Sequence, residues 1–198
     1  MSKKSRKFVF VVAIIAICAV FVALSFSGNI LSGRFLQGYS QSDLDLLLQT
    51  GSCPKGDFEA VATLQGESFP NADLAGANFD NAMLIKTTFT DADFTGASML
   101  NVFFMDAILV RTKFNKATLS GAKFNNANLE NAYFNGADLV SADFTGANLA
   151  GADLRNADLD VAILADVKTL KGAKYNEHTV FPPSFFNPRK DHGMVYLK

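Results

Sequence analysis

The side chains best suited to chemistry are few and poorly spaced for it. Two histidines, His178 and His192, and two cysteines, Cys18 and Cys53, are the only imidazole and thiol groups in 198 residues. No CxxC, HxxxH or paired Cys/His spacing is present, so a zinc site is not expected. Nor is there a Gly-x-Ser-x-Gly elbow, a phosphate-binding loop or a dinucleotide fingerprint. Cys18 lies in an apolar run, where it reads as a buried side chain; Ile17 before it disfavours lipidation. Cys53 lies in a loop and reads as unpaired, with an intermolecular link as the alternative. What does recur is Asp and Asn. Asp73 and Asp93 stand twenty residues apart, as do Asp138 and Asp158. Stacked carboxylates can hold a cation, but a solvated, solubilising face is the simpler expectation. The sequence therefore predicts no enzyme, no cofactor and no metal ligand, and a cation-binding or catalytic role stands only as an alternative.

These acids sit inside a period. From Leu64 to Leu164 every fifth residue is Leu or Phe, with Met99 the single exception, and the register does not slip. Two residues before each stands Ala, apart from Glu67, Thr87, Val102 and Thr112. Five matches neither the helical period of 3.6 nor the strand period of 2. Residues two apart in extended chain share a face, so each unit offers one small and one large inward side chain. To bring the next Leu or Phe inward, the chain must turn a corner in every unit. Four corners close a square coil of about 20 residues, and coils stack at about 4.8 Å. Gly76, Asn81, Gly96 and Gly121, two residues after the large one, tolerate tight-turn angles.

Stretches such as NADLAGANF, NNANLENAYFNGADL and GADLVSADFTGANLAGADLRNADL resemble the A(D/N)LXX motif of the pentapeptide-repeat family. The resemblance implies an all-β fold, a right-handed quadrilateral β-helix of about five coils and about 25 Å. It implies little about function, because one fold hosts many. Two flanking stretches resemble the cyanobacterial members. LLLQTGSCPKGDF is similar to a lead-in that often carries two cysteines as CxxCDL; here Gly56 replaces the second, which removes the pair. KYNEHTVFPPSFFNPRKDHGMVYL is similar to a closing segment: Pro182-Pro183 stops the repeat, and Phe181, Phe185 and Phe186 can plug the end or form a homodimer contact.

Ahead of the repeat, Lys3, Lys4, Arg6 and Lys7 precede an uncharged apolar run, Phe8–Phe26. About 20 apolar residues span a bilayer core, so residues 8–26 read as a transmembrane anchor with the basic end cytoplasmic. Ala23-Leu24-Ser25 and Ser25-Phe26-Ser27 also offer cleavage sites, so a signal peptide is the second reading. Both export the domain, to periplasm or thylakoid lumen. Residues 31–57 read as a linker and a capping helix: Ser42-Asp43 opens the run LDLLLQ, Thr50-Gly51 closes it, and Leu44, Leu46, Leu47 and Leu48 need an apolar end to cover. The expected organisation is 1–30 anchor or signal, 31–57 linker and cap, 58–166 β-helix, and 167–198 C-terminal cap or tail.

The repeat breaks its polar-outside rule around Met83 to Val110. Met83 and Phe103, just before inward residues, and Ile85 and Met105, just after, are twenty apart and so adjacent; Ile108 and Val110 lie on the neighbouring side. An exposed apolar cluster marks a contact with a partner, unless the linker or a cap covers it. The leading functional expectation is therefore a membrane-tethered, non-enzymatic scaffold that binds a protein partner, with a subunit or assembly factor of a membrane complex as its setting, and not nucleic acid. The alternative is a DNA-mimicking inhibitor of a topoisomerase, as some pentapeptide-repeat proteins are. It draws on residues 58–164, where thirteen Asp/Glu stand against six Lys/Arg.

Overall fold

The computed structural model describes residues 39–62, 64–185 and 193–198. The expected anchor or signal, Cys18, Phe186 and His192 lie outside the described residues. Among those described, no helix is long and apolar enough to cross a membrane.

Backbone pairing follows the five-residue period. Parallel bridges join residues twenty apart at every fifth position, as in Met83 to Phe103 and Thr88 to Ile108. Each coil therefore has four short walls, which we number by their outward residues. The first carries Met83, Phe103, Lys123, Asp143 and Ile163; the second Ser68, Thr88, Ile108, Asn128 and Asn148. The third carries Asp73, Asp93, Lys113, Tyr133 and Asp153; the fourth Asp57, Asn78, Ser98, Thr118, Asp138 and Asp158. Asp73 and Asp93 do stack on one wall, and Asp138 and Asp158 on another.

The recurrent Asp and Asn have a structural task beyond solubility. The side-chain oxygen of Asp73, Asn78, Asp93, Asn128, Asp143 and Asp158 each accepts the backbone N–H two residues on, at 2.9–3.2 Å. That bond satisfies a donor that the ladder leaves over at the corner. The corner itself is left-handed whatever residue occupies it: every fifth residue from Gly66 to Val161 has φ between 49° and 76°. Lys86, Arg111 and Lys116 accept this conformation as Gly and Asn do. At Gly146 the space is also taken, since an added Cβ would strike the Asn126 amide oxygen of the coil below.

Val161 is the least suited corner residue, a β-branched side chain at φ 49° and 56% exposed. Left-handed geometry costs a non-glycine residue about 1–2 kcal/mol, and little burial is lost by removing this side chain. Val161→Gly is therefore expected to raise the urea midpoint, by about 1 kcal/mol of unfolding free energy; an unchanged or lower midpoint would contradict the corner account.

Inside, the large side chains form columns. From Phe94 to Phe144, Phe occupies the first and third walls and Leu the second and fourth, apart from Met99 on the fourth. Rings stack along each column, with Phe94–Phe114 at 5.4 Å, Phe114–Phe134 at 5.1 Å and Phe104–Phe124 at 5.5 Å. They meet edge-on across the axis at 6.0–6.4 Å. In the first coils the phenylalanines run instead up the second and fourth walls, as Phe69–Phe89 and Phe58–Phe79. The quarter-turn between the two arrangements falls at Phe89 and Phe94, 5.0 Å apart. Around it, the Ala slot enlarges to Thr87, Val102 and Thr112, all buried. Both threonine hydroxyls donate to backbone carbonyls, Thr87 to Leu84 at 2.6 Å and Thr112 to Phe89 at 2.7 Å.

The ends depart from the sequence expectation. The register slips by one near the start: Val61, not Ala62, fills the buried slot, and its carbonyl accepts from Met83 N–H where Ala82 accepts from Phe103. Ala62 fits the five-residue count equally well, so the count alone cannot see the bulge. The helix α1 (Gln41–Thr50) is capped by Ser40 rather than Ser42: the Ser40 hydroxyl accepts from Asp43 N–H, and Gly51 ends the helix at φ 75°. Leu44 and Leu47 are buried and Leu48 packs on the core, but Leu46 faces solvent. Asp57 N–H donates to Asp43 Oδ2 at 2.9 Å and ties the cap down. At the far end the ladder continues past residue 166 with wider spacing. Thr169 pairs with Asn148, Lys174 with Asp153 and Val180 with Asp158. The short strands β1 (Lys174–Tyr175) and β2 (Val195–Tyr196) then pair in parallel. Phe181 and Phe185 stack at 4.9 Å against the core.

Candidate partner-binding surface

Because the bridges fix which residues are neighbours, the apolar positions assemble without further folding. Met83 and Phe103 are bridge partners on the first wall, with Ile85 and Met105 beside them. The chain then turns at Asp106 and presents Ile108 and Val110 on the second wall. Met83 is 37% exposed and Ile108 45%, while Ile85, Phe103, Met105 and Val110 are half-buried. Leu100, 37% exposed, extends the patch round the opposite corner from the fourth wall. Sequence reasoning missed it, although its place directly after inward Met99 marks it as outward. A second exposed apolar group, Val161, Ile163, Val180 and Val195, lies toward the C-terminal coils.

The patch runs against the local economy of the fold. Met83, Phe103 and Ile108 occupy slots where Asp or Asn elsewhere closes the corner bond, worth about 0.5–1.5 kcal/mol each. Their side chains cannot replace that acceptor.

Charge is sorted as well. Outward Asp57, Glu59, Asp80, Asp138, Asp158 and Asp160 make the fourth wall acidic, with no Lys or Arg among them. The coil of residues 104–123 differs: Arg111, Lys113, Lys116 and Lys123 stand against Asp106 alone. Arg111 forks onto Asp91 at 2.7 and 2.6 Å, and that hydrogen bond, with the guanidinium charge, holds the Asp91 carboxyl below its usual range. Lys113 reaches Asp93 at 3.1 Å. Burial alone would raise the Asp93 carboxyl, but hydrogen bonds from Thr95 and Lys113 outweigh it and the net shift is downward. Lys86 and Lys123 border the apolar patch; Lys86 forms no ion pair among the described residues, while against burial, hydrogen bonds from Thr145 and Asn125 and the charge of Lys123 lower the carboxyl of Asp143, directly above Lys123.

Elsewhere the polar groups serve the fold. Asp153, the buried acid, would be pushed up by desolvation, yet the fork from Arg155 at 2.8 and 2.6 Å brings it below its usual range. Cys53 is buried, and desolvation followed by Asp43 raises its thiol. A side chain at Gly56 would meet Cys53 Sγ at 2.7 Å and Phe58 Cε2 at 2.5 Å. His178 is exposed, 3.8 Å from Glu177. Among the described residues no group of three or more His, Cys, Asp or Glu is placed to hold a metal ion.

Solved structures of pentapeptide repeat proteins are similar to parts of the chain. A pentapeptide repeat protein of the Arabidopsis thaliana thylakoid lumen is 28% identical over 48% of this chain and 70% of its own, with a TM-score of 0.41. HetL, a pentapeptide repeat protein involved in heterocyst differentiation regulation in the cyanobacterium Nostoc, is 22% identical over 66% and 65%, with a TM-score of 0.38. QnrB1, a plasmid-mediated fluoroquinolone resistance protein, is 20% identical over 72% and 68%, with a TM-score of 0.33. No curated protein sequence matches the chain. The sequence model of the pentapeptide repeats matches residues 62–91, 89–126 and 122–160 in eight copies, half of the chain. With that match over the same coils whose ladder repeats every twenty residues, the chain belongs to the pentapeptide-repeat family of right-handed β-helices.

Proposed function

We propose that this protein is a non-catalytic scaffold whose patch of Met83, Ile85, Phe103, Met105, Ile108 and Val110 docks a protein partner. The carrying observation is that apolar residues replace the corner-closing Asp or Asn at neighbouring bridge positions, which the fold does not require. Residues 8–26 hold the scaffold to a membrane, with the repeat on the periplasmic or lumenal side and a membrane complex as the natural setting. A homodimer through the C-terminal tail is compatible with this role.

Crosslinking in intact membranes, followed by affinity isolation of the full-length protein, tests the patch. Phe103→Asp combined with Met105→Asp is expected to abolish recovery of the associated protein while moving the melting temperature by no more than about 4 °C. Unchanged recovery would rule the patch out. A topology reporter fused after Lys198 is expected to read on the non-cytoplasmic side.

The acidic fourth wall favours a second reading, mimicry of DNA toward a topoisomerase. It requires a cytoplasmic repeat domain and inhibition of supercoiling by the full-length protein. A non-cytoplasmic reporter signal eliminates it.

A further inference from the structure

Resting on that docking reading, we propose that the partner is a second copy of this chain, laid antiparallel against the first wall. The column up that wall is Met83, Phe103, Lys123, Asp143 and Ile163, each bridged to the next. Opposite charges sit in its upper middle, with apolar residues beyond them on both sides. Turned end for end, the stretch from Phe103 to Ile163 is its own complement, which is the condition a two-fold interface imposes. Lys123 then meets Asp143 of the second copy, Asp143 meets its Lys123, and a Phe103–Ile163 contact closes each end. The flanking rows agree: Met105 falls on Ala165 of the second copy and Val161 on its Asn101. Val161 and Ile163, 56% and 46% exposed, thus belong to the same contact as Phe103 and Met105. Ile163, like Phe103, fills a slot where Asp or Asn closes the corner elsewhere. Ile108 and Val110, on the second wall, lie outside this contact.

Charge selects the direction. Laid parallel, the two walls would set Lys123 against Lys123 and Asp143 against Asp143. Laid antiparallel, the four groups alternate in sign around a square. The other charges at the margins do not oppose this. Lys86, Asp106 and Asp166 stand at the corner with the second wall, outside the flat of the first, and all three are exposed. Asp106 is brought toward Asp166 of the second copy, but both remain in water, where like charges are screened, and Lys86 lies one coil beneath Asp106. On the other margin Asp80 is held by Ser98 and Leu100 of its own fourth wall, and Asp160 lies at the edge of that wall, two residues beyond Asp158. Arg111, Lys113 and Glu130 lie beyond the second wall. Four coils make the contact roughly 20 Å long and one wall wide, a small interface. The membrane tether of the proposed function compensates by raising the effective concentration of the two copies.

Two differently tagged full-length copies, co-expressed and treated in intact membranes with a bismaleimide, test the pairing. The reagent's reach should match the spacing of facing sheets, about 10 Å. Phe103→Cys in one copy and Ile163→Cys in the other are expected to link the two tags well above the parent protein, which is the blank for Cys18 and Cys53. Phe103→Cys in both copies is expected to give no more than the blank, because antiparallel pairing separates those positions by three coils, about 14 Å along the rod. Lys123→Asp in both copies sets acid against acid and is expected to lower the Phe103–Ile163 yield at least about tenfold. Adding Asp143→Lys exchanges the two charges, rebuilds the square and is expected to restore the yield, which also shows that the variant folds. Links between two Phe103→Cys copies, no link above the blank between Phe103→Cys and Ile163→Cys, or a charge exchange that restores nothing while the melting temperature is unchanged would each overturn the inference. The docking role is judged separately: if the tagged copies fail to link while Phe103→Asp and Met105→Asp still abolish recovery of a different protein, the patch stands and self-pairing falls.

Discussion

Phe114→Ala is expected to lower the unfolding free energy by about 3–5 kcal/mol, the range for truncating a buried aromatic. Phe114 is fully buried. Its ring contacts Phe94 and Phe134 in its own column and Phe104 and Phe124 across the axis, at 5.1–6.2 Å. Loss of the ring removes burial and four aromatic contacts together. The site cannot close over the space, because hydrogen bonds to the coils above and below fix all four walls. Leu109 N–H to Asn128 and Phe114 N–H to Tyr133, each 2.7 Å, are two of them. The control is Phe69→Ala. Phe69 lies in the first coil, next to the N-terminal cap, is 7% exposed and has one ring neighbour among the described residues, Phe89. There the terminal coil can fray and relieve the cavity, so the loss should be smaller by about half. Equal losses in urea unfolding would show that position along the rod does not govern the cost.

The contrast between those two positions follows from what the sequence reveals about each. The inward residues from Leu64 to Leu164 were legible because packing inside a closed coil admits only one pattern. The neighbours of each outward residue followed by adding twenty. Failures came where two residues satisfied the same arithmetic. Val61 and Ala62 both offer a small apolar side chain before Leu64, and only the carbonyl that meets Met83 distinguishes them. Ser40 and Ser42 both precede an acidic turn, and the choice depends on which hydroxyl faces Asp43 N–H. Past Leu164 the inward slots pass to Leu170, Tyr175 and Phe181, with extra residues absorbed at corners, so a fixed period loses them. Corner geometry was hidden for a different reason. Lys86, Arg111 and Val161 do not look like turn residues, yet ladder bonds on both sides impose a positive φ on them. Exposure of Met83 and Ile108 follows from their slots, whereas nothing in the period says what covers them.

The quarter-turn in the phenylalanine columns yields the sharpest expectation about the rod: deleting ten residues should be tolerated better than deleting five. Removing Phe114–Lys123 brings Phe124 into the slot of Phe114, above Phe94 and facing Phe104 across the axis. Every higher coil rotates by half a turn, and Phe columns still meet Phe columns. Removing Leu119–Lys123 instead puts Phe124 into the slot of Leu119 above Met99. The higher coils rotate by a quarter-turn, so Phe columns meet Leu columns. The Phe104–Phe124 and Phe114–Phe134 stacks are then lost, at about 0.5–1.5 kcal/mol each beyond burial. The native chain makes one such quarter-turn, at Phe89 and Phe94, and accompanies it with Thr87, Met99, Val102 and Thr112. A second quarter-turn would have no such adjustment, leaving voids and overlaps that cost a further 1–3 kcal/mol or so. The five-residue deletion should therefore be the less stable by about 2 kcal/mol in urea, although it shortens the rod less. Both deletions retain Met83–Val110, so both should keep the partner in the crosslinking assay while they remain folded. If stability instead falls in proportion to the residues removed, the columns contribute no specificity and the interior is filled by volume alone.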